Sequence, residues 1–204
     1  MWINILGNIG AGKTTLTTML HNHYGWNVKY EAVDNNPYLN DFYKDMDRWS
    51  FELQIFFMNK RLKDIIDIKN QPDQIYIQDR SIFEDRYMFV PTLYNQGHLN
   101  TREYENYTDL YKSISKLIGF PDLLIYIRSS IGNLTTQIAK RGRSSEANIS
   151  INYLQTLNEQ YENFVNNYKG NMIIIDGDSI KFENNENDFK YVTDLIDTKL
   201  KDLK

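Results

Sequence analysis

The segment GNIGAGKTT, residues 7–15, constrains this chain more than any other, because it dictates both a backbone path and a charge. It follows the apolar run MWINIL and fits the spacing G-x-x-x-x-G-K-[ST] through Gly7, Gly12, Lys13 and Thr14. Glycines let successive backbone N–H groups turn inward around an anion. A helix starting here adds the partial positive charge of its N-terminus. Lys13 adds a full charge, and Thr14 offers an oxygen to Mg2+. A strand–helix turn that binds nothing would not require Lys and Thr directly after the last glycine. Asn8, Ile9, Gly10, Ala11, Gly12, Lys13, Thr14 and Thr15 are therefore expected to cradle a phosphate.

What surrounds the loop is an alternation of strand and helix. Five short β-branched, apolar runs stand out at 2–6, 27–31, 74–79, 122–129 and 171–177, each bounded by turn or polar residues. Helical spacing fills the intervals, with candidates at 40–69, 83–95, 101–118, 131–141 and 150–169. Such alternation predicts an α/β fold, a parallel sheet flanked by helices on both faces. No repeat or linker interrupts the 204 residues, so 1–204 reads as one domain. The segment FENNENDF reads as a polar stretch.

Composition narrows the function classes. The net charge of −4 advertises no nucleic-acid face. No apolar run approaches membrane-spanning length, and the early phosphate loop is expected to leave no room for a leader. Cysteine is absent, which is compatible with the cytoplasm. His21, His23 and His98 are too scattered to suggest zinc, and the first two read as ordinary surface or boundary residues. Fifteen tyrosines and ten phenylalanines read mostly as packing residues.

In open parallel sheets ligand sites gather at the carboxyl ends of strands, which draws attention to Glu31, Asp79, Arg80, Ser81, Arg128, Asp176 and Asp178. Asp79 is placed to serve magnesium, or alternatively to cap the following helix with Arg80 as its ion-pair partner. Glu31, across a cleft from the phosphate loop, could take a proton from a substrate hydroxyl. Lys140, Arg141 and Arg143 in AKRGRSSEANIS form a charge run that is either a solvated face or a lid closing over a transferring phosphoryl group. With the phosphate loop present, the lid is the better reading, spanning about 137–147.

Together GNIGAGKTT, YEAVDNNPYLNDFYKDMDRWSFELQIFF, QDRSIFEDRYMF, DLLIYIRSS and KRGRSSE resemble the deoxynucleoside kinase family from Trp2 to about Asp178, and bacterial deoxyadenosine/deoxyguanosine kinases most. The resemblance implies a P-loop kinase fold and transfer of the γ-phosphate of ATP, with Mg2+, to a deoxynucleoside 5′-hydroxyl. By it, Glu31 matches the general base and Arg80 the arginine that holds the reacting groups. Arg141 and Arg143 match lid arginines, and Thr14 with Asp79 the metal-associated pair. Glu146 and Tyr43 match the residues that share the sugar 3′-hydroxyl, Tyr43 also crowding the 2′ position. Gln54 matches the glutamine that reads the base, and Phe89 the aromatic that stacks on it.

Arg61 lies two helical turns beyond Gln54, on the same face, and Asp85 follows the Asp-Arg-Ser motif. In the family this charged pair goes with deoxyadenosine, deoxyguanosine or deoxycytidine as acceptor; an ordinary interhelical salt bridge would use the same two residues. Deoxyadenosine is the expected substrate, and a homodimer through 40–69 and 101–118 is the expected assembly. A nucleoside monophosphate kinase and a non-catalytic nucleotide-binding protein are the alternatives.

The chain departs from the family at several positions. Ala32 and Asn36 replace the proline and base-packing tryptophan of animal members. Asp79 stands where those members carry Glu. Gln137 replaces one lid arginine, with Lys140 nearby to compensate.

Overall fold

Five strands form one parallel sheet in the order β2–β3–β1–β4–β5 in the computed structural model, which describes residues 1–33, 36–143, 146 and 149–203. The strands are β1 (Trp2–Leu6), β2 (Asn27–Lys29), β3 (Tyr76–Asp79), β4 (Leu123–Arg128) and β5 (Met172–Asp176). β1 is central, with Ile3 level with Ile77 of β3 and Leu123 of β4, and all five of its residues are buried. That is why MWINIL, apart from the buried Asn4, is apolar instead of alternating: both faces of a central parallel strand are covered.

The helices are α1 (Lys13–Tyr24), α2 (Leu39–Lys44), α3 (Met46–Lys69), α4 (Ile82–Glu84), α5 (Val90–Asn95), α6 (Thr101–Ile118), α7 (Ile131–Arg141), α8 (Ile151–Asn167) and α9 (Glu186–Asp202). A π-helical turn, Asp85–Phe89, joins α4 to α5. Trp2 and Leu6 point to one face of the sheet, where Leu53, Met58, Phe83, Tyr107, Leu157 and Tyr161 form the larger core. Ile3 and Ile5 point to the other, against Leu16, Leu20, Val192 and Ile196. At the edge, β5 leaves Ile174 exposed. Among the described residues no helix is long and apolar enough to cross a membrane.

Three elements differ from the sequence expectation. The helix expected over 40–69 breaks at Asp45, whose backbone leaves the helical region (φ −147°, ψ 84°) and whose carboxylate accepts the Arg48 N–H at 3.1 Å. A short polar side chain that can cap a helix competes with continuing it. β2 stops at Lys29, so Glu31 lies two residues beyond the strand. Finally, the polar FENNENDF stretch leads into α9: Asn185 accepts the N–H groups of Asn187 and Asp188, and Val192 and Ile196 seal the second core.

Candidate active site

The phosphate loop runs from β1 into α1, and its glycines are required by geometry at two points. Gly10 and Gly12 have φ of 86° and 90°, the left-handed region that side chains rarely adopt. A Cβ at Gly10 would also lie 2.8 Å from the carbonyl oxygen of Leu134 in α7. Lys13 begins α1 and is buried, its Nζ donating to the carbonyls of Gly7 at 2.8 Å and Asn8 at 3.0 Å. Burial, reinforced by the charge of Arg80, lowers its pKa to about 8. Asn8 is fixed by donating to the Leu154 carbonyl and to Asn158, while its own Oδ1 accepts the Ile9 N–H. Ala11 and Thr15 complete the wall on this side of the cleft.

At the end of β3, Thr14 Oγ1 donates to Asp79 Oδ2 at 2.5 Å. The other oxygen, Oδ1, is buried without a hydrogen-bond partner. Burial raises the pKa of this carboxyl, and the charge of Glu31 adds to the rise against the opposing pull of Lys13, Thr14 and Arg80. An unpartnered carboxylate oxygen beside a threonine hydroxyl is a hard-oxygen donor set that fits Mg2+.

Arg80 is the one non-glycine residue with positive φ (68°) among the described residues. This sharp turn directs its guanidinium back across the sheet end, over the ring of Phe89 at 4.6 Å from the centroid. Its Nε lies 2.7 Å from Glu31 Oε1, and Arg61 Nη2 donates to the same oxygen at 3.1 Å. Burial by itself raises the Glu31 carboxyl, but the charges of Arg80, Arg61, Lys13 and Arg143 overcome this and hold it below the usual carboxylate range. Arg61 is also paired with Asp85, and both are buried. Burial pushes Asp85 up to about 7 despite Arg61 and Arg80.

Gln54, buried on α3, has no partner for its Oε1 although it lines the cleft. Phe57 lies beneath Arg61, 4.4 Å from ring centroid to guanidinium carbon. Tyr43 of α2 faces the same space, and burial with the neighbouring Tyr153 and Glu146 raises its hydroxyl pKa well above the ordinary value. Phe89 lines the cleft too, with one face already covered by Arg80.

From the far side, α7 brings Gln137, Lys140 and Arg141 to the cleft. Arg141 pairs with Glu146, and Arg143 Nη1 lies 3.4 Å from the same carboxylate. Lys140 also lies 3.8 Å from Glu183, in the loop after β5. Ser144, Ser145 and Ala147 of the expected lid lie outside the described residues, as do Asp34 and Asn35.

Every expected site residue described above except Asn8 and Asp79 lines one cavity of about 440 Å3. Those two brace it from behind. Asn36 is buried away from that lining, its Oδ1 accepting the Tyr38 N–H. Of the other strand-end residues, Arg128 is tied to Glu162 and Asp178 accepts the Ser130 N–H. Asp176 holds the Ser179 turn. Sequence reasoning missed Phe57, Tyr153, Lys181 and Phe182 as cleft residues, since an aromatic or lysine on a helix or loop carries no signal of the face it presents. It also missed Glu84, whose position three residues after Ser81 is a capping-box signature visible in the sequence.

Phosphate loop, strand-end acid and the arginines Arg141 and Arg143 thus converge from separate elements on the carboxyl edge of a parallel sheet, which is the construction of a P-loop kinase. The deoxynucleoside kinase family model matches residues 3–201, and the chain belongs to that family. It is 34% identical over 197 residues to the deoxyadenosine/deoxycytidine kinase of Bacillus subtilis (strain 168), covering 95% of this chain and 90% of the relative. It is 33% identical to the deoxyguanosine kinase of the same organism, covering 94% and 93% of the two chains. The structure of deoxyadenosine kinase from M. mycoides with bound dATP superposes with a TM-score of 0.85 at 30% identity, over 97% of this chain and 99% of that one. The protein is an ATP-dependent deoxynucleoside kinase.

Proposed function

We propose that the preferred acceptor is deoxyadenosine, with deoxyguanosine and deoxycytidine as the nearest competitors, and that Glu31 is the general base. The buried Arg61–Asp85 pair, which shares Arg61 with Glu31, supports an amino-bearing base over thymine, and the similarity to deoxyadenosine kinases puts deoxyadenosine first among the three. A guanidinium and a carboxylate side by side can serve a ring-nitrogen acceptor and an amino donor on one base edge. The thymine methyl would occupy the space that the pair fills. Gln54, with an unpartnered Oε1 in the same wall, supplies a second hydrogen-bonding group for the base, and Phe89 an aromatic surface. Tyr43 and Glu146 are assigned to the sugar 3′-hydroxyl, with Tyr43 closing off the 2′ side.

In the proposed reaction the nucleoside 5′-oxygen attacks the γ-phosphorus of ATP in line, and the bond to the β,γ-bridging oxygen breaks. The 5′-hydroxyl proton passes to Glu31, which its cationic neighbours keep ionised. Lys13, Arg80, Arg141 and Arg143 spread the charge of the transferring group. Thr14 and Asp79 would hold Mg2+, whose contribution is neutralisation of the donor phosphates. Glu146 pairs with Arg141 and lies 3.4 Å from Arg143, tying the proposed 3′-hydroxyl ligand to both lid arginines.

Glu31→Gln tests the base. It should retain deoxyadenosine binding and lower turnover by roughly 100-fold or more; near-normal turnover would refute the assignment. We also propose a homodimer, supported by the solvent-facing Ile66 of α3 and Leu110 and Leu117 of α6. Light scattering at micromolar protein should give twice the chain mass, and a monomer mass would exclude it.

A further inference from the structure

We infer that Glu84 and Tyr161 act as a positioning pair that locks Arg80 to the start of the phosphate loop, making donor and acceptor halves of the site a single rigid unit. Glu84 is fully buried. Its Oε2 accepts the Ser81 N–H at 2.8 Å, which is all that a capping box at α4 requires. Its Oε1 does something a cap does not need. It accepts the Gly7 N–H at 3.2 Å and the Tyr161 hydroxyl at 2.6 Å, and lies 3.7 Å from Arg80 Nη1. Arg80 Nη1 in turn donates to the Tyr161 oxygen at 3.3 Å, and that oxygen sits 2.9 Å from the Gly7 carbonyl to which Lys13 also donates.

Thus one carboxylate and one phenol touch the first residue of the phosphate loop, the strained arginine and, through Gly7, the loop lysine. Three donors converge on two carboxylate oxygens, so a neutral amide cannot replace it: its NH2 would oppose at least one of them. The buried negative charge also balances Lys13 and Arg80, both of which feel it. Among the described residues Arg80 alone holds a left-handed backbone conformation without being glycine, and such strain persists only where surroundings over-determine it. Glu84 and Tyr161 supply those surroundings from α4 and α8, while leaving the cleft itself untouched, since neither lines it.

The inference rests on the assignment of Arg80 to the reacting phosphoryl group, and the test separates the two. Tyr161→Phe removes only the hydroxyl, and Glu84→Gln only the charge and one acceptor. Misplacing a catalytic group slightly lowers the rate without changing affinity, so kcat should fall about 10- to 100-fold with KM for deoxyadenosine and Mg-ATP moving less than about threefold. The double variant should be no slower than Glu84→Gln alone, as befits one unit. If Glu84→Gln does not fold, Tyr161→Phe carries the test by the same kcat–KM split. A Tyr161→Phe enzyme with kcat within about twofold of normal overturns the inference while Arg80 stands, as does a loss that appears only in KM. Full activity in Arg80→Ala overturns both.

Discussion

At the scale of single residues, the site is a balance of buried charges that no one group could sustain. Glu31 is surrounded by Arg61, Arg80 and Lys13, and each of those cations leans on it in return. Lys13 pays no full compensation: burial dominates, its pKa falls to about 8, and its ammonium contents itself with two loop carbonyls. Nucleotide phosphates would raise that pKa again. Binding of Mg-ATP should therefore take up protons above pH 8, where the free enzyme has lost them, and take up almost none at about pH 7. Calorimetry in buffers of different ionisation enthalpy, at about pH 9 and about pH 7, measures this. Equal uptake at both, or uptake unchanged in Lys13→Met, would contradict it. This balance was not legible in the sequence. Lys13, Glu31, Arg61 and Arg80 were each identifiable, but a sequence does not show that Arg61 serves Glu31 and Asp85 at once, or that Arg80 covers one face of Phe89.

The element scale shows where local signals suffice and where they fail. Helices α6 and α7 lie where their apolar spacing and flanking Asn100, Gly119, Ser130 and Gly142 put them, because those residues cap as their chemistry predicts. The break at Asp45 and the π-helical turn at Asp85–Phe89 were hidden, since both leave the apolar period nearly intact while shifting which face each side chain presents. α9 was hidden for the opposite reason. Its Asn- and Glu-rich start masks Val192 and Ile196, which meet the sheet only in three dimensions. Contacts between elements carry their own prediction. Gly10 lets the phosphate loop pass within reach of α7, and Gly10→Ala would set a Cβ against the Leu134 carbonyl in a conformation alanine disfavours. Displaced loop amides should raise KM for Mg-ATP at least about tenfold, with the KM for nucleoside little changed. Steady-state kinetics with each substrate varied in turn would show this; an unchanged KM for Mg-ATP would mean that the loop tolerates the displacement.

For the whole molecule, the strand order explains why one edge of the sheet gathers so much chemistry. β1 sits between β3 and β4, so the phosphate loop emerges beside Asp79 and Arg80, with Glu31 close by after β2. α7 follows β4 and brings Arg141, with Arg143 two residues beyond, to the same opening. Parallel strands and a phosphate loop were legible in the sequence. Their lateral order was not, because pairing between segments as far apart in sequence as Trp2 and Tyr76 leaves no local pattern. The resulting cleft has an end lined by the phosphate loop and an end walled by Gln54, Arg61 and Asp85, which we assign to the acceptor base. The claim that this second end selects a deoxynucleoside is tested most directly by one acceptor panel under Mg-ATP: the four deoxynucleosides, adenosine and dAMP. The proposal predicts deoxyadenosine with the highest kcat/KM and thymidine, adenosine and dAMP far below it. Thymidine or dAMP matching deoxyadenosine would contradict the assignment of Arg61 and Asp85, and adenosine matching it would contradict that of Tyr43.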